Sequence, residues 1–203
     1  MANKKISELT TFTTALGTDQ IPVNRSGMNG KLALSSLSSL STTHYIGEFF
    51  GGGVVFHVYK DSLGVEHGLI VSIVNLANAQ YSNIVNLVSS ATSTWNGQGN
   101  TNLLKAQSGA TSGAWKLCDD YSNGGFTDWY LPSVDEWNLL WNNRFNVNKT
   151  LTNIVGAAQI GYDTYWSSSE GNIVSAYVFY ANLGSASSLS KSTAYSVRAI
   201  RQF

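Results

Sequence analysis

The apolar positions change rhythm twice along the chain. In residues 1–34 they are isolated marks, Ile6, Leu9, Leu16, Ile21, Val23, Leu32 and Leu34, set among turn residues. That pattern predicts an extended arm with short strands. The Ser-rich run that follows places Leu34, Leu37 and Leu40 at i, i+3, i+6, and reads either as a linker or as a short piece of helix. A boundary near residue 42 divides the chain into an arm with its linker, residues 1–42, and a main domain, residues 43–203.

In the main domain, residues 54–59 and 68–74 are apolar runs on either side of a polar turn at 61–64, which predicts a β-hairpin. Gly51, Gly52 and Gly53 precede it and permit backbone geometry that other residues avoid. Residues 75–100 are polar and without a clear period, whereas NTNLLKAQ and GAWKLCDDY carry short helical periodicity. LPSVDEWNLLWNN predicts the firmest helix. Ser133 is its N-cap, Glu136 completes a capping box, and Trp137, Leu140, Trp141 and Arg144 follow at helical spacing. From Tyr165 onward the pattern is strands and loops. A hairpin, short helices and then a β-rich half predict an α+β fold rather than an alternating parallel sheet.

Composition narrows the chemistry. Hydrophobic residues make up 43% of the chain, enough for a core, but charged residues only 12%, about half the usual share. Solubility therefore rests on Ser, Thr, Asn and Gly. The net charge is +0 and no basic stripe points to nucleic acid. Cys118 is the single cysteine, so no intrachain disulfide is expected. Neither a signal-peptide stretch nor a run near the ~20 apolar residues of a membrane span is present. These features lead us to expect folding in a cytoplasm, no membrane insertion, and, for a role outside the cell, export within an assembled particle.

The titratable residues do not form a catalytic pattern. His44, His57 and His67 lack metal-ligand spacing. His57 reads as a packed histidine and His67 as a solvated one beside the hairpin turn. Asp119-Asp120 and Asp135-Glu136 read as solvated helix ends and caps, and Cys118 as a packed thiol between Leu117 and Tyr121. No enzymatic activity, metal or cofactor is expected.

YIGEFFGGGVVFHV, HGLIVS, GGFTDWYLPSVDEWNLLW, YWSSSE and VRAIRQF together resemble a family of bacterial and phage domains with a C-type-lectin-like fold. The resemblance spans roughly residues 45–203. It implies a sheet joining the two ends of the domain, flanking helices, and a loop region presenting a ligand surface. Related folds occur in formylglycine-generating oxidases, which hold copper through cysteines; one cysteine argues against that chemistry here.

The C-terminal segment is similar to a subset of these domains, the variable proteins of diversity-generating retroelements. Glu170, Ala176, Tyr177, Gly184, Lys191, Val197 and Arg198 fall at separations matching their Asn-rich frame. Ile173, Phe179, Ala181 and Ser196 depart from it. In that family the adenines of Asn codons are rewritten while the last pyrimidine survives. A diversified site can then become Ser, Tyr, Val, Leu, Thr, Ile, Gly, Ala or Phe, but not Trp, Met, Gln, Glu or Lys. The segment obeys that restriction except at Lys191, which matches the frame. The resemblance implies ligand-binding positions at Asn172, Val174, Ser175, Val178, Tyr180, Asn182, Leu183, Ser185, Ser187, Ser188, Leu189, Ser190, Ser192, Thr193 and Tyr195. Strand alternation adds an expectation: Tyr177, Phe179 and Ala181 face the core, while Val178, Tyr180 and Asn182 face out. Trp166, Arg198 and Arg201 are expected to hold the frame.

At the other end, Ile6-Ser7-Glu8-Leu9, Gly17-Thr18-Asp19, Ile21-Pro22-Val23 and Lys31 before a Leu-ended stretch resemble the opening of phage fibre and virion-attachment proteins. This implies a virion anchor joined to other virion proteins, a homotrimer, and a receptor-binding domain directed at a bacterial surface protein or glycan. The competing expectation is a structural virion decoration whose last segment is a polar cap.

Overall fold

The computed structural model describes residues 20–25, 28–33, 43–86 and 88–203. The chain divides into two units, residues 1–43 and 44–203. In the first, Gln20–Arg25 (β1) and Met28–Ala33 (β2) pair antiparallel, with Ile21 opposite Leu32 and Val23 opposite Gly30. The motif Ile6–Leu9 and the Leu34, Leu37, Leu40 run lie outside the described residues.

The second unit is α+β. It opens with Phe49–Phe50 (β3) and Gly53–Lys60 (β4), joined by Gly51 and Gly52 at φ of 58° and 82°. Two consecutive positive φ values are what a tight hairpin turn requires. At Gly52 a Cβ would also come within 2.4 Å of the Asn123 carbonyl oxygen, so no side chain fits. Glu66–Ser72 (β5) returns antiparallel to β4, and Ile200–Gln202 (β11) pairs with β5. The start and end of the domain thus share one four-stranded sheet, ordered β11-β5-β4-β3.

A second sheet holds Leu76–Ala79 (β6), Tyr195–Val197 (β10), Thr164–Glu170 (β7), Ser175–Tyr180 (β8) and Ser185–Ser190 (β9), in that spatial order. Only the β10–β7 pairing within it is parallel. The helices are Gly97–Ala106 (α1), Ala114–Asp119 (α2) and Val134–Leu151 (α3). Both halves of the capping box at α3 are present: Glu136 N donates to Ser133 Oγ and Ser133 N donates to Glu136 Oε2. Trp137, Leu140, Val147 and Leu151 form its buried stripe, as the helical period requires.

The core lies in two layers. One gathers Leu104 of α1, Trp115 and Cys118 of α2, and Trp166, Ala176, Val178 and Val197 from the second sheet. The other gathers Trp137, Leu140, Val147 and Leu151 of α3 with Tyr165, Phe179, Ala181 and Ile200. Trp137 stacks on Phe179, ring centroids 5.6 Å apart and 9° from parallel, and donates its indole N–H to the Trp166 carbonyl. The centre of β7 and β8 is therefore covered on both faces.

That double covering corrects the expected alternation in β8. Val178 is 0% exposed and lies in the same layer as Trp166, opposite it in register. Tyr177, expected inside, is 36% exposed. The expectation assumed one wet face, whereas Val178 and Phe179 each meet a core layer.

Candidate ligand-binding surface

The C-terminal segment hangs on a set of buried polar anchors. Arg198 and Ala199 lie where the chain crosses from the five-stranded to the four-stranded sheet. There the buried Arg198 guanidinium donates to the Ser72 carbonyl through Nε (3.0 Å) and Nη2 (2.6 Å), to the Ala158 carbonyl (2.9 Å) and to Asn75 Oδ1 (2.7 Å). Burial lowers its pKa to about 10, partly offset by Tyr165 and Tyr121. Arg201 grips Asp128 with two parallel bonds of 2.7 and 2.8 Å, a geometry that suits the planar guanidinium. It holds the Asp128 carboxyl below its ordinary pKa. Trp166, fully buried, donates its indole N–H to the Ala79 carbonyl.

Lys191 and Glu170 form a second anchor. Their charged ends meet in an ion pair. Glu170 also accepts from the backbone N–H of Ser89 (2.8 Å), its hydroxyl (3.1 Å) and the N–H of Ser90 (3.1 Å), and its own N–H donates to the Ala91 carbonyl. Ser90 has φ 66°, which turns successive N–H groups toward the carboxylate as in an anion-binding nest. Lys191 reaches the Ile173 carbonyl through Nζ, the Val174 carbonyl through its N–H and the Tyr81 N–H through its carbonyl. The loop at 89–91, the turn at 171–174 and the end of β9 are thereby held together.

On this frame the predicted binding positions separate into three groups. Asn172, Val174, Asn182, Leu183, Ser185, Ser187, Ser188, Ser190, Ser192 and Thr193 are exposed. Ser175, Tyr180, Leu189 and Tyr195 are half-buried, the last three packed against the first core layer. Val178 is buried, so it presents nothing to a ligand. Four exposed residues escaped the sequence reading: Gly171, Ile173, Tyr177 and Ala194. Tyr177 faces Ser188 across the β8–β9 ladder, and Ser188 donates to Ser175 Oγ at 2.7 Å. The polar character of β9, opposite Tyr177, was the available signal.

The tips are shaped by local bonds. Asn172 Oδ1 accepts from the N–H of Val174 and Ser175 at 2.9 and 3.0 Å, an Asx-type turn. Gly184, at φ 67°, closes the β8–β9 turn onto the Tyr180 carbonyl, and a Cβ there would strike the Trp141 indole nitrogen at 2.4 Å. Across residues 171–196 the only charged side chain is Lys191, and it is buried against Glu170. The outer face is thus hydroxyls, amides, Tyr and branched aliphatics.

Several of the other sequence candidates have structural partners. Asp119 pairs with Lys105 at 2.8 Å, and Asp120 with Lys116. Burial lowers the pKa of the half-buried His57, and His67 lies 3.3 Å from Asp61. Cys118 is buried; desolvation, then Asp119, pushes its thiol well up. Among the described residues no group of three or more His, Cys, Asp or Glu is placed to hold a metal ion. Among them, no helix is long and apolar enough to cross a membrane.

No family model and no curated protein matches the chain. Among solved structures it is similar to a fimbrial protein from Bacteroides ovatus ATCC 8483, with 19% sequence identity and a TM-score of 0.55. The match covers 73% of this chain and 43% of that one, so the chain spans less than half the length of that protein. The likeness is one of fold.

Proposed function

We propose that this chain is a phage fibre-type receptor-binding protein. Residues 43–203 form a C-type-lectin-like domain that binds a bacterial surface protein or glycan through a diversified surface between Glu170 and Val197. It binds without covalent chemistry, metal or cofactor. Residues 1–42 join it to other virion proteins.

The observation that carries this reading is the contrast between frame and contents. Trp166, Glu170, Lys191 and Arg198 are buried and multiply bonded, while the residues strung between them are mostly exposed and, Lys191 apart, uncharged. Tyr among Ser, Gly and Asn is paratope-like: Tyr offers rigid contact area and the others adaptable hydrogen bonds. Exposed Leu183, Val174 and Ile173 add apolar area worth roughly 25 cal/mol per Å² once buried in a complex. A surface without exposed charge binds with little dependence on salt. The β3-β4-β5-β11 sheet joining both ends of the domain, with helices on both sides of the core, supports the lectin-like assignment.

The β1–β2 pair supports assembly. A two-stranded hairpin is marginal alone in water, and Ile21 is exposed within it. A homotrimer through residues 1–42 gives those strands partners and clusters three binding domains.

The deciding experiment is genomic. An Asn-rich near-copy of the terminal coding segment beside a reverse-transcriptase gene is the expected finding. Its absence, with the segment invariant among isolates, favours a structural decoration protein instead.

A further inference from the structure

Away from residues 171–196, a cleft of about 270 Å³ opens between the start of α3 and the β4–β5 pair. Its floor is Leu69 and Glu136, both buried. Its walls are aromatic. Tyr59 is half-exposed and stacks on His57, ring centroids 5.7 Å apart. Trp95 also lines the cleft, at 72% exposure.

Trp95 is carried on a tied loop. The N–H groups of Trp95 and Asn96 donate to Ser93 Oγ at 3.3 and 3.0 Å, and Asn96 caps α1. The N–H of Asp135 donates to the Thr94 carbonyl at 2.8 Å. The loop bearing the indole is therefore fastened to the turn bearing the carboxylate.

The charge in the cleft has one sign. Glu136 and Asp135 line it, and no Lys or Arg does. Both Glu136 oxygens are occupied, by the Tyr130 hydroxyl at 2.8 Å and the Ser133 N–H at 2.7 Å. The exposed Asp135 carboxylate accepts no hydrogen bond and joins no ion pair among the described residues. An anion is repelled here, and a neutral ligand can at most donate a hydrogen bond to the carboxylate. An organic cation uses both parts, because the negative faces of aromatic rings and a carboxylate attract it together.

We infer that the cleft between Trp95, Tyr59 and Asp135 is a binding site for a small organic ammonium group. A quaternary head of the choline type and a primary ammonium of the lysine type share that chemistry. The site is independent of the proposed diversified surface, since none of its residues lies between Glu170 and Val197.

The test titrates the intact protein with choline chloride, N-acetyl-lysine amide and dimethylbutanol, the neutral isostere of choline, against sodium chloride at equal ionic strength. The Trp95 indole N–H resonance is the reporter, assigned by its loss in Trp95→Ala. At least one cation shifts it saturably at millimolar concentration, the tighter one naming the source, and dimethylbutanol does not. Asp135→Asn followed by that resonance, and Trp95→Ala followed by calorimetry, each weaken cation binding by about ten-fold with an unchanged melting temperature. The proposal is overturned by any of three results: no saturable shift with either cation up to tens of millimolar, an equal shift with dimethylbutanol, or undiminished binding in both variants.

Discussion

The ammonium of Lys191 rests on the carboxylate of Glu170 with each side chain only 1% exposed. Two charges so deep are retained only if each is also bonded elsewhere. Glu170 meets that condition through Ser89 and Ser90, and Lys191 through the Ile173 carbonyl. The pair spans 21 residues of sequence, enclosing β8 and β9.

Removing one partner strands the other. Lys191→Met is expected to destabilise the protein by about 3–5 kcal/mol. Adding Glu170→Gln removes the stranded charge while keeping an acceptor for Ser89 and Ser90, and recovers part of that loss. Denaturant melts of the single and double variants measure it. A double variant less stable than Lys191→Met would show that the ion pair is not the source of the cost.

Frame and contents should separate in stability. Trp166→Ala is expected to cost about 3–5 kcal/mol, and Val178→Ser at least about 2 kcal/mol through lost apolar burial and an added buried hydroxyl. Leu183→Ser and Ser187→Tyr should stay within about 0.5 kcal/mol. Tyr180→Ser, Leu189→Ser and Tyr195→Ser fall between, because those side chains are half-buried against the first core layer. Chemical denaturation of the set decides; a Leu183→Ser loss as large as that of Trp166→Ala contradicts an exposed tip.

Glu136 gives a signed pH dependence. Burial raises its pKa above 4.5, against bonds from Ser133 and Tyr130 that lower it. The native state therefore holds a proton more tightly than the unfolded state. Its stability contribution is complete below 4.5 and is lost as pH rises through the raised value. Asp128, whose pKa Arg201 lowers, runs the other way: its contribution is present above 3.8 and lost as pH falls through the lowered value. Melting temperatures of the parent and Glu136→Gln across mildly acidic pH should show the parent losing ground to the variant as pH rises. A parallel pair of curves refutes the assignment.

Assembly is testable without a ligand. Light scattering of the full chain at micromolar concentration is expected to give three times the 21.9 kDa chain mass. A monomer with residues 1–42 intact removes the basis for a fibre-type arm.

What the sequence determined is local. The capping box at Ser133 and Glu136, the stripe from Trp137, the hairpin around 61–64 and the helical marks in NTNLLKAQ and GAWKLCDDY all rest on contacts within a few residues, so the chain states them directly. Tertiary structure alone decided which side of β8 is wet. Period-two alternation names two faces but not what covers them, and here α1 and α2 lie over one face and α3 over the other, hiding Val178 and leaving Tyr177 exposed. It also decided that Lys191 ends on Glu170, that Arg198 serves the Ser72 and Ala158 carbonyls, and that Trp95 and Asp135 share a cleft. Each joins residues far apart in the chain, and a buried charge or an exposed ring takes its meaning from neighbours that only folding supplies.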